Sequence, residues 1–582
     1  MKGLKKLSMV STLVLLLVST HQALATTASE NLSQLLDEIW SYEVSQFPNL
    51  ARAEGVASDS YFTDITMPAM SARNLKFKTF LQQLDEIESD QLTDDENISV
   101  YMQKYRLQNY VDQFEFHEYR VPITSEYGFH SSIASSISNF SIKNQEGLNN
   151  FIKMLSAVPV QFEHNIAYMK QGIAHAHVQP KAVLVGYEDT ITPYFDKKFK
   201  QHPFYAPVKN SQLTLTDKQT EQLKQAINAA SGAYKNFYDF FVNTYKPSAK
   251  DDIAAKTWPQ GEEFYNNRIR YYTTTDLSAE EIHQMGLKEV ARIRAEMQGI
   301  VDELEFDGDI NAFINYLRTS PLFYAETPEE LIINASYIAK KIDAKLPKLF
   351  YKLPRTPYGV EAVPDSIAPK YTTGRYISPR RDDQPGYYWV NTYALDKRPL
   401  YALPALTLHE AVPGHHLQIS LAAEMDHLPK VRRNTYISAF GEGWGLYAEY
   451  LGIEVGMYED PHDDFGRLSY EMWRACRLVV DTGMHLYGWS REKALNYMME
   501  NTALSEHNVR TEIDRYISWP AQALSYKIGE LKIKELRAKA EQALGDKFDL
   551  RAFHDKVLAS GSIPLSILEN NINTFIATEL EE

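Results

Sequence analysis

The path of the chain depends on the stretch Leu408–Gln418, which reads Leu-His-Glu-Ala-Val-Pro-Gly-His-His-Leu-Gln. We read His409 and Glu410 as part of a helix that Pro413 and Gly414 then interrupt. Proline lacks a backbone donor and clashes with the preceding helical turn, and glycine adopts backbone angles that other residues avoid. The sequence therefore predicts a helix that buckles at this step and lets residues loop out of the helical path.

The histidines here are spaced unlike those of the helix H-E-x-x-H, in which two imidazoles four residues apart bind zinc. The fourth position after His409 is Pro413, which cannot bind a metal. In a straight helix a seven-residue separation spans ~10 Å, too far for two Zn–N bonds of ~2.0–2.1 Å. Looping out two residues would make His415 the second ligand, and looping out three would select His416. We favour His415, because Gly414-His415 matches the Gly-His that ends many such motifs, and the alternative stays open.

A third ligand is predicted in the segment Phe440–Glu449, which reads FGEGWGLYAE. Glu442 follows His415 at a distance that lets a first helix finish and a second return antiparallel to it. Glu449 lies two turns further on the same face, where it either orients a ligand histidine or serves as a structural carboxylate. Three small residues that allow the backbone to come close to a metal flank Glu442 in this segment: Gly441, Gly443 and Gly445.

Two imidazoles and one carboxylate favour Zn²⁺ over manganese or cobalt as the cofactor. The alternative is that the histidines only cap a kinked helix. If zinc binds, Glu410 is the expected general base, because it directly follows the first ligand. The oxyanion formed during hydrolysis needs a donor opposite the metal. Tyr526 is our first candidate for that donor and His485 the second, although either residue could instead be part of the core.

Candidate substrate-binding residues lie on either side of these motifs. Arg477 could hold a substrate carboxylate in a bidentate clamp, which would indicate a carboxypeptidase or dipeptidase. An internal ion pair with Asp481, four residues on, is the simpler interpretation. Tyr388 and Asn391, on the strand predicted near residues 386–392, could present backbone groups to an extended peptide.

Composition excludes several classes of protein. With 44% hydrophobic and 23% charged residues among 582, the chain is globular rather than disordered or collagenous. Its formal net charge of −16 argues against a nucleic-acid partner, which normally requires a basic face. Since there is one cysteine, Cys476, no intrachain disulfide can form.

The N-terminal segment has the features of a signal peptide. Basic residues precede the apolar run Met9–Val18, and Ala23-Leu24-Ala25 supplies a small–x–small cleavage site. We expect cleavage after Ala25 and a periplasmic or secreted protein. The apolar run is shorter than the ~20 residues of a membrane span, and no later stretch reaches that length, so no span is expected in the mature chain. Lipid anchoring is not expected, since no cysteine lies near the cleavage site.

Most of the chain is predicted to be helical, so the fold class is mainly α with a small antiparallel β element near 386–392. Helix starts are marked by capping residues at Thr93, Ser278, Thr327 and Ser490. The predicted division is a signal peptide at 1–25, an N-terminal helical lobe at 26–259 and a C-terminal metal-binding lobe at 260–582. The two lobes are expected to share one core, because no flexible tether separates them.

The ordered motifs resemble the bacterial family known as domain of unknown function 885. The resemblance rests on HEAVPGHHLQ, EGWGLYAE, RACRLVVDTGMH (Arg474–His485), RYISWPAQALSYKIGE (Arg515–Glu530), LSAEEIHQMGLKEV (Leu277–Val290) and the GYYWVNT strand. This chain departs from the family pattern at Gly445 and Ala521, neither of which is a proposed ligand. The family in turn resembles gluzincin metallopeptidases, which implies a large helical fold with a deep cleft.

The expected function is an exported zinc-dependent peptidase acting on a peptide or small amide. One alternative keeps the metal but hydrolyses a non-peptide amide. A second is a catalytically silent binding or scaffold protein, against which the general base Glu410 speaks. Neither the end preference of cleavage nor the oligomeric state follows from the sequence.

Overall fold

The computed structural model describes residues 27–365, 367–379 and 384–581. The predicted signal peptide, residues 1–25, lies outside the described residues. Within them the chain is mostly helical with one small sheet, so the predicted mainly α fold class is confirmed.

The described residues form twenty-three α-helices, numbered here in chain order. Helices α1 to α8 are Ala28–Gln46, Pro48–Ala53, Met67–Asp85, Asp94–Glu115, Phe129–Ser138, Gln145–Ala174, Ala206–Ser211 and Asp217–Phe240. Helices α9 to α16 are Lys246–Ser248, Gly261–Thr273, Ala279–Glu303, Ile310–Thr319, Pro328–Asp343, Leu403–Glu410, His415–Ala423 and Lys430–Asn434. Helices α17 to α23 are Ser438–Glu454, Pro461–His485, Arg491–Asn501, Glu506–Ser518, Ser525–Leu544, Leu550–Leu558 and Leu565–Glu581.

The predicted capping residues begin helices in the structure. Thr93 and Ser278 form complete capping boxes at the starts of α4 and α11. Thr327 and Ser490 accept hydrogen bonds from the first turns of α13 and α19. These side chains satisfy backbone donors that have no partner within the helix, so the helix starts follow from local chemistry.

The sheet has three strands, β1 (Tyr358–Ala362), β2 (Gly374–Ile377) and β3 (Gly386–Val390), in the order β1-β3-β2. The strand predicted near 386–392 is confirmed as β3. It pairs antiparallel with β2, as expected, but also parallel with β1. The expected antiparallel element is therefore a mixed sheet in which β3 is the central strand.

Buried apolar side chains form three clusters, and the largest contains residues from both sides of the predicted boundary at 259/260, such as Phe237 and Val479. The division into two lobes stays a prediction. Across the described ranges, none of the helices combines the length and apolar character needed to cross a membrane.

The helices that carry the predicted site residues pack against one another. Helix α17 packs against α14, α15 and α21, and α18 packs against α11 and α14. Every residue of α18 from Phe465 to His485 is buried, so this helix forms part of the protein interior along most of its length. Residues that project from these helices toward one another are therefore held by a packed core.

Candidate metal centre

The predicted buckle separates two helices. Helix α14 ends at Glu410 and α15 begins at His415, so residues 411–414 leave the helical path. Gly414 passes so close to α14 that a Cβ there would lie 1.9 Å from the carbonyl oxygen of His409. Trp444 donates a hydrogen bond to the Pro413 carbonyl at 2.8 Å and ties the loop to α17. The break therefore needs glycine at 414 and is held in place from the neighbouring helix.

Three side chains meet across this break. One ligand atom each from His409, His415 and Glu442 lies within 4.8 Å of the other two. Glu442 Oε2 is 3.7 Å from His409 Nε2 and 3.4 Å from His415 Nε2. The two imidazole rings are nearly perpendicular, at 89°, with centroids 4.7 Å apart. The structure thus brings together the three residues that the sequence selected as ligands.

His416, the alternative second ligand, points elsewhere. Its Nδ1 lies 3.0 Å from the Tyr376 hydroxyl and 3.3 Å from the Ser420 hydroxyl. Its ring contacts Tyr358 and Tyr376 of the sheet. Of the two open alternatives, His415 is the one that faces His409.

Each of the three glycines around Glu442 allows a different neighbour to approach the backbone of α17 closely. A Cβ at Gly441 would strike the Tyr436 ring, and one at Gly443 would lie 2.5 Å from the backbone of Gly529 on α21. At Gly445 a Cβ would come within 2.7 Å of the His409 ring. Gly445 therefore leaves room for the candidate ligand His409, whereas Gly441 leaves room for the Tyr436 ring and Gly443 for the crossing helix α21.

Glu449 holds the first histidine. His409 Nδ1 lies 2.7 Å from Glu449 Oε1, and Arg474 Nη2 lies 3.3 Å from the same oxygen. Burial lowers the pKa of His409, but hydrogen bonds to Glu442 and Glu449 outweigh it and raise the pKa to about 9. Since a metal binds only neutral imidazole, an ion would have to displace a proton here.

Glu410 lies beside the three candidate ligands. Its Oε2 accepts a hydrogen bond from the backbone N–H of Tyr376 on β2 at 2.8 Å. Strand β2 pairs with β3 along one edge, and Gly374, Arg375 and Tyr376 line a cavity along the other. The carboxylate is therefore positioned by the outer strand of the sheet.

His409, Glu410, His415 and Glu442 line a cavity of about 540 Å³. Its remaining wall is rich in aromatic and charged side chains, including Tyr271, Tyr272, Tyr436, Trp473, Arg474, Arg477, Glu512, Arg515, Trp519 and Tyr526. A concave site with convergent polar groups is where a small ligand or short chain would bind.

Comparison with known proteins places this architecture in a family. The sequence profile described as "Bacterial protein of unknown function (DUF885)" matches residues 48–572. The chain belongs to the DUF885 family. No curated protein matches the DUF885 chain.

Two solved structures resemble this DUF885 protein over nearly its whole length. One, described as a "putative lipoprotein" from Colwellia psychrerythraea, is 28% identical with a TM-score of 0.86, and the match covers 95% of this chain and 100% of that one. The other, described as a "putative lipoprotein of unknown function" from Shewanella oneidensis, is 19% identical with a TM-score of 0.74, covering 94% and 99%. The second likeness shows the fold alone.

The two predicted oxyanion donors occupy different places in the DUF885 protein. The Tyr526 ring lines the cavity with its centroid 6.4 Å from that of His409. Burial and Glu442 raise the pKa of the Tyr526 hydroxyl, so it stays protonated at neutral pH. His485 does not line the cavity, and its nitrogens lie 3.0 Å from the Ala255 N–H and the Tyr516 carbonyl. Because both ring nitrogens are already bonded in the core, His485 cannot serve as the donor.

Arg477 lines the cavity, but its ion-pair partner is not the predicted one. Its Nη2 lies 3.2 Å from Glu512 Oε2, and its Nε donates to the Tyr516 hydroxyl at 2.7 Å. Asp481 instead accepts from the Tyr265 hydroxyl at 2.6 Å and from the Ala521 N–H. The predicted Arg477–Asp481 pair is wrong, because the two side chains face different neighbours across α18.

Tyr388 and Asn391, the other predicted substrate-binding residues, do not line the cavity. Tyr388 is fully buried in the central strand β3, whose backbone is paired on both sides. The Asn391 backbone N–H donates to the Thr373 carbonyl at 2.9 Å, and its side-chain amide donates to the carbonyls of Ala368, Tyr371 and Thr372. The strand that lines the cavity is β2, so the structure gives no support to the predicted role of these two residues.

Sequence reasoning missed three residues at the site. Tyr436 donates its hydroxyl proton to Glu442 Oε1 at 3.1 Å, and Glu512 and Arg515 line the cavity beside Arg477. Tyr436 lies six residues before Glu442 and two residues before the start of α17, which was a usable signal. Arg515 lies three residues after its ion-pair partner Glu512, a spacing that was also a usable signal.

Proposed function

We propose that this protein is an exported zinc-dependent peptidase that hydrolyses peptide bonds with a metal-activated water and Glu410 as general base. One observation carries the proposal: ligand atoms of His409, His415 and Glu442 converge within 4.8 Å at the wall of a cavity that Glu410 also lines. A largely buried set of two imidazoles and a carboxylate with a second carboxylate beside it is typical of hydrolytic zinc sites.

The donor set fits zinc. Ligands at ~2.05 Å in a tetrahedron lie about 3.3 Å apart, and the separations of 3.7 and 3.4 Å from Glu442 are close to that value. Three protein ligands leave a fourth position for water or substrate. Glu449 fixes His409 with Nδ1 turned away from the site, as expected for a ligating imidazole.

Glu410 and Tyr526 have separate roles in the proposed hydrolysis. Bound zinc would supply Lewis acidity, which polarises the scissile carbonyl and lowers the pKa of water to ~7. Glu410 would accept a proton from the attacking water as its oxygen bonds to the carbonyl carbon, and would return that proton to the leaving amine as the C–N bond breaks. Tyr526 would donate a hydrogen bond to the oxyanion. One water is consumed, and an acid and an amine are released.

A peptide is favoured as substrate by the strand beside the base. The outer edge of β2 borders the cavity, and an extended peptide can add to such an edge through main-chain hydrogen bonds. The aromatic side chains that line the same cavity would offer apolar contact to its side chains. The family that the sequence motifs resemble is itself similar to gluzincin metallopeptidases, which also supports a peptide substrate.

Export is part of the proposal. The predicted signal peptide supports it, and the similar structure from Colwellia psychrerythraea is described as a "putative lipoprotein".

The test is the substitution Glu410→Gln, which keeps an acceptor for the Tyr376 N–H but removes the base. We expect the zinc-loaded wild type to hydrolyse a peptide library and the variant to bind zinc normally with activity reduced at least about 100-fold. Glu424→Gln, outside the cavity, is the matched control and should be fully active. Hydrolysis of non-peptide amides alone would favour the amide-hydrolase alternative, and no hydrolysis by the zinc-loaded wild type would favour a binding protein.

A further inference from the structure

Two arginines on different helices meet at one carboxylate in the cavity wall. Arg477 of α18 and Arg515 of α20 place Nη2 3.2 and 2.9 Å from the same atom, Glu512 Oε2. The Tyr516 hydroxyl donates to that oxygen at 2.7 Å. We call Arg477 and Arg515 the arginine pair.

The arginine pair carries more positive charge than its partner neutralises. Two guanidinium groups share one carboxylate at ion-pair distance, so within that contact one positive charge has no carboxylate of its own. The Arg477 side chain is 3% exposed, and its Nη1 is buried without a hydrogen-bond partner among the described residues. Glu126 also lines the cavity and interacts electrostatically with both arginines, but within the described part of the chain it lies beyond the 4.0 Å of an ion pair from either one. A buried, unpaired cationic donor is costly unless an anion or water meets it.

The arginine pair is held rigidly. The Arg477 guanidinium lies between two rings, 4.5 Å from the centroid of Trp473 and 4.1 Å from that of Tyr526. Arg515 Nη1 donates to the Gln522 side chain at 2.5 Å. A binding group fixed in this way loses little conformational freedom when a ligand arrives, which favours affinity.

The arginine pair lies a short distance from the candidate metal centre. The Tyr526 ring is 6.4 Å from the His409 ring and 4.1 Å from Arg477 Cζ, and the sum of the two distances sets an upper limit of 10.5 Å between His409 and Arg477 Cζ. An extended chain covers ~3.3–3.6 Å per residue, so this space holds at most about three residues.

We propose that the arginine pair binds the C-terminal carboxylate of a peptide, so that the enzyme removes one to three residues from the C-terminus. Guanidinium groups match carboxylates in charge and geometry, and the Arg477 Nη1 is a buried donor with no hydrogen-bond partner among the described residues. This inference rests on the proposed peptidase function and adds the class of substrate: peptides with a free α-carboxylate at the C-terminus.

The experiment compares a library of pentapeptides in two forms, free acid and C-terminal amide, digested by the zinc-loaded protein and followed by mass spectrometry. We expect kcat/KM to be about 10- to 100-fold higher for the free acids than for the amides, because one hydrogen-bonded charge pair contributes that much. We also expect the C-terminal fragments to be one to three residues long. Equal rates for the two forms, or cleavage only at the first peptide bond, which leaves a four-residue C-terminal fragment, would overturn this inference and leave the peptidase intact. No hydrolysis of either form would overturn both.

Variants separate recognition from a structural role. Arg515→Gln should lower the acid-to-amide ratio of kcat/KM to near 1, mainly because KM for the acids rises. Arg515→Lys keeps a positive charge and should restore part of that ratio. Arg491→Gln is the matched control, because Arg491 pairs with Asp514 of α20 but does not line the cavity. Circular dichroism and zinc content check that each variant is folded. If Arg515→Gln slowed acids and amides equally, the proposal would be wrong.

Discussion

His409 donates a hydrogen bond from Nδ1 to Oε1 of Glu449 across 2.7 Å, which joins α14 to α17 inside the protein. The bond turns the opposite ring nitrogen, Nε2, toward Glu442. Arg474 pairs with the same oxygen of Glu449 and links the arrangement to α18. The geometry of the candidate metal centre therefore depends on a carboxylate that is not itself a candidate ligand.

Replacing that carboxylate should weaken metal binding. We expect Glu449→Gln to lower zinc affinity about 10- to 100-fold, the usual effect of losing a group that orients a ligand histidine. Competition with a chromophoric chelator measures the change. Glu454→Gln, on the same helix and in an ion pair with Arg537, should bind zinc like the wild type. Unchanged affinity in Glu449→Gln would contradict the assigned role.

The two neighbouring histidines should differ in metal binding. His415→Ala removes a candidate ligand and should leave well below one zinc per chain, whereas His416→Ala should retain about one zinc per chain. His416 is buried and faces Tyr376, so its loss should lower the melting temperature instead. Metal analysis and calorimetry on the two variants give both readouts. Loss of zinc from His416→Ala alone would reverse the assignment.

The crossing of α17 and α21 should tolerate no added methyl group. A Cβ at Gly529 would lie 1.9 Å from the Ala439 carbonyl oxygen, so Gly529→Ala should reduce the free energy of unfolding by about 1–3 kcal/mol. At Gly299, exposed on α11, nothing lies within 4 Å of an added Cβ, and Gly299→Ala should stabilise by about 0.5–1 kcal/mol. Urea titration compares the two variants, and equal effects would contradict the close approach of α17 and α21 at Gly529.

Asp481 should make stability fall as pH rises. Burial raises its pKa to about 7, although bonds from Tyr265 and Ala521 oppose the shift. The unfolded value is ~3.9, so between about pH 4 and pH 7 the folded state holds a proton that the unfolded state has lost. Over this range the Asp481 contribution to the free energy of unfolding should fall by ~1.36 kcal/mol per pH unit. Urea unfolding of Asp481→Asn at several pH values should lack this component, and identical pH profiles for the two proteins would refute it.

Local signals predicted the features that depend on neighbouring residues. Thr93 and Ser278 mark helix starts because their side chains bond to their own first turns, and Pro413–Gly414 marks a break because of backbone sterics. The aromatic and β-branched run at 386–390 predicted β3. At the site, the spacing around the break left His415 and His416 open, the Gly414-His415 match favoured His415, and the segment Phe440–Glu449 supplied Glu442.

Features that depend on distant residues were not predictable. Residues paired between β1 and β3 are 28 positions apart, from Tyr358–Gly386 to Ala362–Val390, and no local pattern reveals that parallel pairing. For the same reason the central position of β3 was missed. Arg477 has a plausible partner four residues on, yet it pairs with Glu512 of another helix, because packing decides which way a buried charge turns.

The most direct test of the central claim is an anomalous difference map at the zinc absorption edge from crystals of the zinc-loaded protein. The account predicts one strong peak within ~2.0–2.2 Å of His409 Nε2, His415 Nε2 and a carboxylate oxygen of Glu442. A map without a peak among these three side chains, from protein shown to carry zinc in solution, would contradict it.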